Sequence, residues 1–162
     1  TKAAFYRYFR NKELLFLALY ERQTAYLVEN VNSHLANQSF VEALTAAICQ
    51  QPLYCKLTSI LHTILEQNLT TEEAVIFKAT LADKMSNLVV QLSPYLSLSQ
   101  EKLINRFFML HHAIIGAWAN CHPSKVVRTV LDSHPELELF DLTFETMLRE
   151  HIQILFGENT VN

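Results

Sequence analysis

The chain is poor in residues that break or reverse a backbone. Its 162 residues include two glycines and four prolines, far below ordinary usage. That scarcity argues against a many-turned β architecture and leaves long helices with few connections. Cys49, Cys55 and Cys121 form an odd set with no CxxC pair, which excludes a disulfide framework and a cysteine zinc site. They read as small buried hydrophobes in a reducing cytosol, so a cytoplasmic location is expected. No apolar run reaches the ~18 residues of a membrane span, and the first residues are aromatic and basic, unlike a signal peptide. There is no Ser-His-Asp order with elbow glycines, no phosphate-cradling glycine loop and no paired-carboxylate pattern. Neither an enzyme nor a cofactor is expected.

What is present is apolar material. Half of the residues are hydrophobic against 18% charged, which excludes disorder and supplies a core for one domain, or one domain with a fragment of a second. The net charge of −3 is uneven: residues 1–12 hold Lys2, Arg7, Arg10 and Lys12 without an acid, +4 in all, and the remaining 150 carry −7. A basic end on an acidic body fits a polyanion partner at that end; a solvated helix terminus explains the same pattern.

Helix signals dominate. Asn11 as N-cap predicts one long helix over about 12–35. Ser39 with Glu42, and Thr70 with Glu73, make capping boxes that open helices to about Gln51 and Leu92. Pro52 suits the first turn of a helix over about 52–68. Ser99 caps a helix from Gln100 to about Asn120, Ser124–Leu131 reads as a short helix, and Ser133-His134-Pro135 as a loop. Asp141 is expected to cap a final helix that closes on Gly157 as C′ residue. No segment shows clean two-residue alternation. The reading is all-α, with seven or eight helices.

The helix over 103–121 is apolar round more than half its circumference, which implies cover on several sides. In the last helix Phe144, Leu148, His151 and Leu155 form a seam, with Met147 and Ile154 as a second stripe. Ala113, Gly116 and Ala117 project little side chain and allow close helix approach. These residues are candidates for an isologous four-helix dimer interface; ordinary intrachain core is the other reading.

The opening stretch Thr1-Lys-Ala-Ala-Phe-Tyr-Arg-Tyr-Phe-Arg-Asn-Lys-Glu-Leu-Leu-Phe, with Phe5, Tyr6, Tyr8, Phe9, Lys12, Glu13 and Leu14 at matching positions, resembles the end of the helix-turn-helix of bacterial TetR-family transcriptional regulators. The resemblance implies that residues 1–14 are the remnant of a DNA-reading headpiece and 15–162 a ligand-binding and dimerisation domain. It also implies a homodimer whose last two long helices pair across a two-fold, a small-molecule inducer, and operator DNA met by Lys2, Ala4, Tyr6, Arg7, Tyr8 and Lys12. Such a helix enters the major groove, where Tyr and Lys hold phosphates and Arg can read guanine. The two helices that precede the recognition helix in the family are not in this sequence, so this chain alone should bind DNA weakly or not at all.

Phe77, Leu81, Met85, Phe107, Phe108 and Trp118 are candidates to line an inducer cavity, with His62, Glu66 and His111 as its polar groups; each apolar one also suits plain core. His62 and Glu66, at i and i+4, read as half a metal site or, better, as a hydrogen-bonded pair, and no metal is expected. A helical small-molecule-binding protein or enzyme without a DNA role stays open as the second reading, and a ligand-free dimeric module as the third.

Overall fold

A computed structural model describes residues 8–160. Among them the chain forms seven α-helices: α1 (Lys12–Leu35), α2 (Phe40–Cys49), α3 (Pro52–Ile60), α4 (Thr71–Leu92), α5 (Gln100–Cys121), α6 (Lys125–Ser133) and α7 (Phe144–Phe156). The all-α reading holds; the sole β feature among the described residues is an isolated bridge between Leu96 and Thr160.

Helix starts follow their caps. Asn11 accepts from Leu14 N at 2.9 Å, and both capping boxes close reciprocally, Ser39 with Glu42 and Thr70 with Glu73. Three expectations need correction. The helix opened by Pro52 does not run evenly to 68: α3 ends at Ile60 and passes into a π turn over Leu61–Leu65, where Glu66 N bonds Leu61 O at 3.0 Å. Leu61 and Leu65, at its two ends, are both buried in the core. Asp141 does not cap α7, because its carboxylate takes Arg128 Nη1 at 2.6 Å; Thr143 is the N-cap residue. Gly157 is not a left-handed C′ residue: it stays right-handed and leads into a 3-10 turn.

One core joins the helices. Leu148, Ile152 and Phe156 form the inward face of α7, all fully buried. Phe156 meets Phe40 of α2 at 5.5 Å and Phe107 of α5 at 5.3 Å between ring centroids. α5 and α7 pack side by side, and the Arg106 guanidinium on α5 donates to Leu155 O on α7. α1 packs on α2, α3 and α4.

Gln51 ties this layer to the middle of α1. Its side chain leaves α3 uncapped and turns to α1 instead. In the amide orientation that satisfies both ends, Nε2 donates to Gln23 O at 2.9 Å, and Oε1 accepts from Leu27 N at 3.0 Å and Asn30 Nδ2 at 3.2 Å. A second tie lies at the start of α1, where the Arg10 guanidinium grips Glu73 through Nη2 at 2.6 Å and Nε at 3.2 Å and also donates to Asn68 O. Arg10, two residues ahead of α1, is thereby fastened to the first turn of α4.

Candidate ligand cavity

α1, α2, α3 with its π turn, α4 and α5 line a cavity of about 500 Å³, within the usual range for small-molecule pockets. Its body is apolar. α1 supplies Tyr20, Leu27, Val28 and Val31, α4 supplies Leu81 and Met85, and α5 supplies Ile104, Phe107 and Ile114. These helices are amphipathic at the right phase, so one face of each turns inward. Tyr20 stacks on Tyr54 of α3, with ring centroids 5.6 Å apart, and burial pushes both phenols up, Tyr54 most.

One side of the wall is polar. The π turn carries His62 towards His111 of α5, with Nε2 to Nε2 at 3.2 Å. His62 Nδ1–H donates to Glu66 Oε2 at 3.2 Å, and Lys78 Nζ donates to Glu66 Oε1 at 2.7 Å. Burial pushes Glu66 up, but its bonds to Lys78 and His62 outweigh that and hold it below its ordinary value. Burial, together with His62, His112 and Lys78, pushes His111 down to about 4 against the pull of Glu66, so His111 is neutral at pH 7. With Nδ1 of His62 committed to the carboxylate, a neutral His62 offers a bare Nε2, and His111 Nε2–H is the donor between the rings.

Of the residues singled out as cavity candidates, His62, Leu81, Met85, Phe107, Phe108 and His111 line it. Glu66 stands behind His62 and Lys78, outside the lining. Phe77 is core, tilted against Tyr20 at 6.4 Å. Trp118 is also outside; it stacks on His122 at 3.8 Å and meets Phe144 edge-on. The α1 lining, Lys84 and Ser86 carried no separate signal in the sequence, because an apolar face looks the same whether it meets side chains or a void. Among the described residues no group of three or more His, Cys, Asp or Glu is placed to hold a metal ion.

The remaining candidates fall elsewhere. Lys2, Ala4, Tyr6 and Arg7 lie outside the described residues. Tyr8 and Lys12 are exposed. Of the interface candidates, Leu148 and Ala117 are buried within the chain, which corrects their assignment to a seam between copies: the buried period of α7 is Leu148, Ile152, Phe156. Gly116 is exposed and a Cβ there would meet nothing within 4 Å. Ala113, Phe144, His151 and Leu155 are half-buried.

A family model described as tetracyclin repressor-like, C-terminal domain, matches residues 17–157. The chain belongs to that family. No curated protein matches it. The seven described helices are thus those of a TetR-type regulatory domain, and no helix among the described residues is long and apolar enough to cross a membrane. α1 of this TetR-type domain is one wall of the cavity.

Proposed function

We propose that this domain is the sensing and dimerising part of a homodimeric DNA-binding repressor whose inducer occupies the cavity. The observation that carries the reading is the position of α1. The same helix lines the cavity with Tyr20, Leu27 and Val31, and the chain just ahead of it is fastened through Arg10 to α4, another wall of the cavity. A ligand that separates α1 from α4 shifts whatever α1 carries. To move the population it must favour one geometry by a few kcal/mol.

In this reading residues 1–14 close the DNA headpiece, with Lys2, Tyr6, Tyr8 and Lys12 on phosphates and Arg7 at a base edge. The dimer forms on the outward faces of α5 and α7, where Met109 and Ile154 are 56 and 77% exposed and a Cβ at Gly116 would meet nothing within 4 Å. Exposed large apolar groups of this kind suit burial against a second copy.

The test is site selection from random DNA with a protein that carries the complete headpiece. The account expects a palindromic site, bound by a dimer. Lys2→Ala should weaken binding to all sequences and flatten the salt dependence, and Arg7→Ala should relax specificity. Failure to select any site would overturn the regulatory reading in favour of a helical binding protein without a DNA role.

A further inference from the structure

The apolar body of the cavity says that a ligand is greasy; the ionisable groups on its wall say more. Every ionisable side chain that lines the cavity, apart from the two tyrosines, is basic or an imidazole: His62, Lys78, Lys84, His111 and His112, with no Asp or Glu among them. The carboxylate next to His62, Glu66, stands outside the lining and is used up by His62 and Lys78. Lys84 makes no ion pair within 4 Å among the described residues, although Glu21 of α1 senses it at longer range. We propose that the ligand is an amphipathic carboxylic acid, its chain lying in the aliphatic body and its carboxylate against His111, with Lys84 adding positive charge. This rests on the reading of the cavity as an inducer site and names the class of inducer.

The chemistry follows from what His111 lacks. It faces His62, Glu66 and Lys78 from the π turn and α4, and His112 from its own helix, and this balance leaves it without a proton near neutrality. A buried carboxylate supplies the opposite charge that is missing and favours the imidazolium. The bound pair is a charge-assisted N–H to carboxylate bond, and the proton comes from the buffer when the ligand enters as its anion. Binding is therefore coupled to uptake of up to about one proton per chain around neutral pH. A cationic amphiphile meets only like charge there, and an alcohol of the same length gains the apolar contacts alone.

The experiment is calorimetric titration of the 162-residue chain with decanoate, decanol and decyltrimethylammonium, each kept monomeric, in two buffers of different ionisation heat at pH 7. The inference expects decanoate to bind about ten-fold or more tighter than either comparator, with a buffer-dependent heat that reports proton uptake. His111→Gln should lose the proton uptake and most of the preference for the acid over decanol. Lys84→Gln should weaken decanoate but keep the proton uptake. Binding of decanol or the ammonium as tight as that of decanoate, or proton uptake that survives His111→Gln, overturns the carboxylate assignment and leaves the inducer cavity standing. Absence of binding by all three amphiphiles overturns both.

Discussion

Gln51 gives a quantitative test of how α1 is held. Its amide makes three bonds to α1, at Gln23 O, Leu27 N and Asn30 Nδ2, from a buried position. Gln51→Leu keeps nearly the same volume and removes all three. Each is worth about 0.5–1.5 kcal/mol net, but the loss is partly recovered. Gln23 O and Leu27 N stand four residues apart and can bond each other, and the half-exposed Asn30 amide can turn to water. The expected cost is about 1.5–3 kcal/mol. At about 2–4 °C per kcal/mol for a domain of this size, the melting temperature should fall by roughly 3–12 °C, read by circular dichroism at one fixed protein concentration. Gln51→Glu sharpens the test. It keeps the acceptor for Leu27 N and sets a carboxylate against Gln23 O, so its folded pKa is raised above the unfolded value. The variant should be worst at pH 7 and recover as the pH falls through the folded pKa towards the unfolded one. A Leu variant melting with the parent, or a Glu variant with no pH-dependent deficit, would refute the clamp.

Phe156→Ala opens the meeting point of α2, α5 and α7 and should cost about 3–5 kcal/mol, a fall of about 6–20 °C in the melting temperature. Arg10 and its backbone bonds at Thr70 hold Glu73 down at about 2. A depressed carboxylate contributes its stability above the unfolded pKa and loses it as pH falls through the folded one. The stability difference between the parent and Arg10→Ala should thus be constant at neutral pH and shrink between about pH 4.5 and 2 in acid titration of the fold. Ile154→Arg places a charge at an exposed apolar site on α7 and should turn a dimer into monomers in sedimentation equilibrium, with the helical spectrum unchanged.

Much of the fold was legible because caps are local. Asn11, Ser39, Thr70 and Ser99 each satisfy orphan amides within three residues of themselves, and the helices begin where those residues stand. Asp141 failed for a long-range reason: Arg128, thirteen residues away, competes for its carboxylate. The π turn carried no local signal, since Leu61 and Leu65, at i and i+4, share a face in a regular α-helix as well. The His62–Glu66 pair could be read from its spacing, but the approach of His111 depends on how α5 packs. Apolar periodicity marks a buried face without saying what buries it. Phe77 and Leu81 therefore looked alike, although one is core and the other cavity wall, and Leu148 looked like interface although it is central to the chain.

Whether the enclosed volume is a binding cavity decides the account. The direct measurement is titration with the fluorophore anilinonaphthalene sulfonate, an aromatic anion, on the parent chain and on Leu81→Trp, which fills the cavity from α4. The account predicts saturable, blue-shifted emission at one site per chain, lost in Leu81→Trp while the melting temperature holds or rises. No saturable binding, or binding unaffected by the added indole, would contradict it.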